Sequence, residues 1–141
     1  MGKNARYGVD RPKASPANLP FEIQTDAKIV KPVVTIDSDT VPGAQFYVDT
    51  RWILPGSKGE IKLCAAHTHQ FGEMLGFYGY NYDNIQDLGA EIEIFIDNEK
   101  NILDRSFAAY VPPGIQHGPI IVRNVRRPIF WVSTGRAPKY E

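Results

Sequence analysis

The sequence has one cysteine, Cys64, so no disulfide can form within the chain and a disulfide-stapled scaffold is excluded. Long apolar runs are missing: nothing approaches the ~18 residues of a membrane-spanning helix. The N-terminus lacks the apolar core of a signal peptide, and Arg6 stands where a myristoylation signal needs Ser or Thr. Charge of one sign is also missing, because 16 basic and 16 acidic residues cancel. Nothing global therefore draws the chain to nucleic acid or to an anionic membrane. No stretch carries a convincing amphipathic-helix period, and no segment repeats. These absences lead us to expect one cytoplasmic domain that binds neither nucleic acid nor membrane. A chain of 141 residues is long enough to bury about 68–70% of its unfolded surface.

What is present is a series of short strand signals separated by turns. Residues 1–20 are basic and proline-rich without an apolar period, and they read as an N-terminal arm, either flexible or ordered by a partner subunit. Residues 21–141 read as a single β-domain. Ile29 to Ile36 has edge-strand character because Pro32 lies within it. Gln45 to Leu54 alternates, with Phe46, Val48, Thr50, Trp52 and Leu54 on one face and Tyr47, Asp49 and Arg51 on the other. After the turn Pro55 to Gly59, Ile61, Leu63 and Ala65 share an apolar face that continues into the histidines. Gly76 to Leu88 is tyrosine- and glycine-rich and reads as a loop, either plain surface or a lid. Ala90 to Ile96, Ile102 to Phe107, Pro119 to Asn124 and Pro128 to Thr134 supply further strands around a hairpin turn at Asn98 to Asn101. Many short strands with turn signals between them define an all-β sandwich or barrel.

Only three histidines occur, and they fall in two places. In an extended strand, side chains two apart share a face. His67, His69, Phe71 and Glu73 would then look the same way, and Cys64 the other way, as a packing residue. His117 lies downstream, just past the turn Pro112-Pro113-Gly114. Imidazole nitrogen and carboxylate oxygen suit iron, manganese, nickel, zinc or copper, with little discrimination among them.

This pattern resembles the cupin superfamily. His67-x-His69-x3-Glu73 matches the core of that family's first motif, and Pro112-x-Gly114-x2-His117 the core of its second. The resemblance spans about residues 40 to 135. It departs from the motifs at Ile61, where a glycine belongs, at Ser106, where another does, and in the spacing of Asn124 from His117. Gly89, rather than Gly79, reads as the first motif's closing glycine, which makes Tyr78 to Leu88 an insertion. The resemblance implies a jelly-roll barrel (a double-stranded β-helix) in which His67, His69, Glu73 and His117 bind one divalent ion, such as Fe, Mn, Ni or Zn. It also implies a homodimer.

Three neutral imidazoles and one carboxylate leave a divalent ion with open positions if it prefers six ligands. The expected function is a metal-dependent enzyme, dioxygenase- or isomerase-like, acting on a small oxygen-rich molecule in the barrel. The alternatives are a non-catalytic binding or sensor module and a structural metal site. Phe71, Tyr110, Gln116 and Trp131 are the candidate pocket residues. Arg51 has the fork geometry to grip a carboxylate or phosphate, although a lone strand arginine reads first as part of a solvated face.

Overall fold

The computed structural model describes residues 5–14, 21–23 and 25–140. Among them are a 3-10 turn, Ala5–Tyr7, and nine strands. The strands are β1 (Val30–Ile36), β2 (Tyr47–Ile53), β3 (Ile61–Cys64), β4 (Glu73–Gly79), β5 (Asp87–Ile96), β6 (Glu99–Arg105), β7 (Phe107–Val111), β8 (His117–Arg123) and β9 (Ile129–Gly135). They form two antiparallel sheets in the orders β1-β2-β9-β4-β7 and β3-β8-β5-β6, the all-β jelly roll expected.

Alternation decides what each sheet buries. The register sets Tyr47 opposite Gly135 and Gly135 opposite Glu73, so inward positions recur at every second residue from that row. Ile53, Leu75, Phe77 and Ile129 follow on the same face, each at most 3% exposed. Across the barrel, Ile61, Ile92, Ile94, Ile120 and Val122 complete one core. Burying each such side chain contributes about 1.5–3 kcal/mol.

The outer faces differ. On the four-stranded sheet Arg123 reaches Glu60 at 3.1 Å and Glu93 at 3.5 Å, and Lys100 reaches Glu93 at 3.3 Å. On the five-stranded sheet Trp52, Phe130 and Tyr78 lie in one row, with Val48, Val132 and Met74 on the same face. As Pro32 implied, β1 is an edge strand, and its pairing with β2 is irregular between Pro32 and Thr35. Of the expected arm, residues 5–14 are described, and there Lys13 Nζ bonds Asp37 at 2.7 Å and Asp39 at 3.0 Å; residues 1–4 and 15–20 lie outside the described residues. No helix among the described residues is long and apolar enough to cross a membrane.

Three local expectations are corrected. The chain does not run as one strand from Glu60 to Glu73: β3 ends at Cys64, and β4 starts at Glu73 in the other sheet. A register shift between Lys62 and Cys64 breaks the alternation, so Leu63 and Cys64 are both buried, while Ala65 is exposed. The supposed insertion at Tyr78 to Leu88 shrinks to residues 80–86, because Gly76, Phe77, Tyr78 and Gly79 belong to β4 and Asp87 and Leu88 to β5. Ser106, at the motif's missing glycine, ties that connection down by accepting from Gly79 N and donating to Ile85 O, both at 2.9 Å.

Candidate metal centre

Residues 65–72 cross from one sheet to the other, and that crossing carries the two neighbouring histidines. His67 is held by a two-bond bridge to His117: each backbone N–H donates to the other's carbonyl at 2.9 Å. His69 is fixed from the second motif, because Gly114 N donates to His69 O at 2.8 Å. Gly114 adopts φ +79, which explains a glycine in that turn. His117 opens β8 and Glu73 opens β4. Two sheets and a crossing thus deliver four donor residues, and one ligating atom from each lies within 4.8 Å of all the others.

The rings are oriented as well as gathered. His67 Nδ1 lies 2.7 Å from Ala65 O, so Nδ1–H donates there and Nε2 is left for a metal. His117 Nε2 is 3.1 Å from Glu73 Oε1, and His69 Nε2 is 3.8 Å from Glu73 Oε2. Phe21 stacks on the His67 ring at 3.8 Å and Phe71 on the His69 ring at 4.6 Å. Glu73, 2% exposed, accepts hydrogen bonds from the Tyr47 hydroxyl and from Ser133 Oγ, the latter at 3.2 Å. Tyr47, Glu73 and Phe71 converge opposite Gly135, where a Cβ would sit 2.7 Å from the Tyr47 ring and 2.9 Å from Phe71. Only glycine leaves them room.

Electrostatics favours a cation. Burial raises the Glu73 carboxyl pKa, but the hydrogen bonds from His117 and Tyr47 and the nearby imidazoles outweigh it and hold it below the usual carboxylate range. Burial pushes the His67 imidazole down to about 4 against the Ala65 hydrogen bond, so the ring is neutral near pH 7. Burial and then the Glu73 charge raise the Tyr47 and Tyr140 phenols, which stay protonated. A buried carboxylate facing three imidazoles is the donor set a divalent ion requires, and the residues present fit one.

Beside these donors lies a cavity of about 60 Å³. His67, Glu73 and His117 form one part of its wall, Leu63, Leu75 and Ile120 an apolar part, and Asp49, Arg51, Trp131 and Tyr140 a polar part. The structure brings His67, His69, Glu73 and His117 together and puts Trp131 on the cavity wall. Phe71 packs between His69 and Tyr47 instead of on that wall. Tyr110, 65% exposed, pairs with Met74 on the outer side of its sheet, and Gln116 is exposed in the turn before β8. Neither lines this cavity. Cys64 lines the cavity, contrary to the parity reading, yet burial pushes its thiol up to about 12 and leaves it unreactive.

Of the two readings of the tyrosine-rich loop, the geometry favours plain surface over a lid. Residues 80–86 follow the end of β4 opposite Glu73, about 20 Å along the strand. There Tyr80 packs on Trp52 at 5.0 Å. The sequence reading missed Tyr47 and Ser133 as holders of Glu73, and Asp49 and Tyr140 as cavity residues. The shared parity of Tyr47 and Asp49 on β2 was the only signal available for two of them.

No family model matches the chain, and no curated protein sequence does. Solved structures do match in fold. Peruvianin-I, a cysteine peptidase from Thevetia peruviana latex, aligns at TM-score 0.58 and 12% identity, covering 99% of this chain and 77% of that one. Oxalate oxidase aligns at TM-score 0.51 and 12% identity, covering 98% and 62%. A cupin protein from Bacteroides fragilis shares 18% identity over 84% of this chain and 86% of its own, at TM-score 0.48. The chain shares their all-β jelly-roll fold, with a three-histidine, one-glutamate donor group at one end of its barrel.

Proposed function

We propose that this protein is a mononuclear metal-dependent enzyme acting on a small oxygen-rich organic molecule by an oxidoreductase- or isomerase-type reaction. The observation that carries this reading is the convergence of His67, His69, Glu73 and His117 beside a cavity. A donor group that only tied strands together would need no adjoining space. When bound, the divalent ion supplies Lewis-acid polarisation of a ligand oxygen and, if iron or manganese, redox chemistry.

The chain's own residues do the rest. Tyr47 helps to keep Glu73 ionised, and Tyr47 and Ser133 together aim it. Leu63, Leu75 and Ile120 limit water around the reacting molecule. Tyr140, its Oη 3.5 Å from His67 Nε2, offers a phenol proton at the cavity wall.

The test is metal content by plasma mass spectrometry on untagged protein, beside the His67→Ala/His69→Ala variant. The expected result is near-stoichiometric metal in the wild type and its loss in the variant, followed by turnover in oxygen-uptake and isomerisation screens with enediol and catechol-like substrates. Wild-type protein that takes up no metal, even when soaked, would sink the reading. The apolar outer face of the five-stranded sheet, set against the charged face of the other, supports pairing of two copies through Trp52 and Phe130. Light scattering on Trp52→Glu/Phe130→Glu tests it: the wild type should be dimeric and the variant monomeric.

A further inference from the structure

Arg51 stands on the inner face of β2, two alternations along the strand from Tyr47. The rows of the sheet give it an address. Tyr47, Gly135 and Glu73 form the row at the metal donors, Asp49, Ser133 and Leu75 the next, and Arg51, Trp131 and Phe77 the third. Arg51 does not simply point across the barrel. Its Nε and Nη2 both lie 3.0 Å from Asp49 Oδ2, in the row nearer the donors, so the guanidinium leans back toward the metal centre. Asp49 is itself held by Thr35 Oγ1, which donates to its Oδ1 at 2.7 Å. On the other side the guanidinium carbon sits 5.2 Å from the centre of the Trp131 ring.

Two sets of donors remain. Arg51 Nη1 has no partner among the described residues once Asp49 has taken Nε and Nη2. The Trp131 indole N–H is buried and likewise has no partner among the described residues. For the buried indole, lacking an acceptor carries a desolvation cost that a ligand oxygen would recover. Both side chains line the cavity that His67, Glu73 and His117 also line, with Leu75 and Ile120 in its apolar wall.

We propose that Arg51, positioned by Asp49 and stacked on Trp131, anchors a carboxylate of the substrate, so that the ligand class is small carboxylic acids whose other oxygen reaches the metal donors. This rests on the metal reading for the far end of the ligand only. A cavity of about 60 Å³ has room for a few waters or one small acid. The carboxylate is favoured over a neutral amide because charge-assisted bonds are about twice as strong as neutral ones.

The experiment is calorimetric titration of glycolate, pyruvate and malonate, each beside its neutral amide, into wild type, Arg51→Lys and Arg51→Gln. Metal content is measured on the same samples, and imidazole serves as a probe that needs the metal but not Arg51. Binding of at least one acid, weakened about tenfold or more in Arg51→Gln and partly restored in Arg51→Lys, with imidazole affinity unchanged, is the expected result. Failure of every acid to bind, equal binding of the amides, or an affinity that Arg51→Gln leaves unchanged would overturn the proposal while leaving metal content to judge the metal reading by itself. Arg51-dependent acid binding by protein that takes up no metal would uphold the anchor and sink the metal reading. Asp49→Asn/Arg51→Gln guards against misfolding, since it leaves no unpaired charge and should show the same loss of acid binding.

Discussion

Removing one oxygen atom tests how the carboxylate donor is prepared. In Tyr47→Phe the ring stays and the hydroxyl that donates to Glu73 is lost. Tyr47 is wholly buried and Glu73 nearly so. A hydrogen bond to a charged group in such a place contributes about 1.5–3 kcal/mol. Ser133 Oγ remains at 3.2 Å and accounts for a smaller share, because its bond is longer. Loss of an outer partner of a metal-binding group typically lowers metal affinity about 10–100-fold, or roughly 1.4–2.7 kcal/mol. Competition with a chromophoric chelator should show a drop of that size in Tyr47→Phe and a smaller one in Ser133→Ala. Both hydroxyls hold the same carboxylate oxygen, so the double variant should depart from the product of the two factors. Unchanged metal affinity in Tyr47→Phe, in a protein where Glu73→Gln abolishes binding, would refute the reasoning.

Gly118→Ala should both destabilise the fold and weaken metal binding: Gly118 sits at φ +86, and a Cβ there would lie 2.7 Å from Ala65 O, the carbonyl that orients His67. Gly114→Ala is its control, since it shares the positive φ but has open space, and should cost only the backbone term of about 1–2 kcal/mol in a urea titration. Metal-free protein should lose stability as pH falls from about 6.5 toward 4. Unfolded His67 takes its proton near the ordinary value and folded His67 only at about 4, so the stability present above that range drains as the unfolded state binds the extra proton. Melting temperatures across that range, with a shallower fall in His67→Ala, check it. Tyr80→Ser/Tyr82→Ser should leave metal affinity and acid binding unchanged, because the loop lies at the far end of β4; altered affinity would revive a gating role.

The site's chemistry was legible before its geometry. Residue types and spacing singled out His67, His69, Glu73 and His117 although the assumed strand joining them does not exist. They converge by a crossing between sheets, and the bulge after Lys62 that begins it leaves no mark in local sequence. The strand alternation that revealed an all-β chain placed Tyr47, Asp49 and Arg51 on one face but did not say that face was inward. Only pairing with β9, more than 80 residues downstream, decides that. Gly76 to Gly79 read as loop because glycine disfavours strands, yet Phe77 stacks against Phe107 at 5.4 Å and Trp131 at 5.7 Å, and that packing overrides local preference. Ser106, read as a departure from a motif, turns out to fasten the shortened loop.

The seam between the sheets gives the donor group a second physical meaning. Glu73 starts a strand of one layer, His117 a strand of the other, and His67 and His69 belong to the bridge between them. An ion held there fastens the two layers at one end, and its binding free energy counts directly against their separation. At free metal a hundredfold above its dissociation constant, the gain is about 2.7 kcal/mol, a large part of the margin by which small domains stay folded. Metal supply would then set how long the folded protein survives proteolysis. Amide hydrogens near the starts of β4 and β8 would exchange faster on chelation, while those at the Tyr80 end of the barrel would scarcely respond.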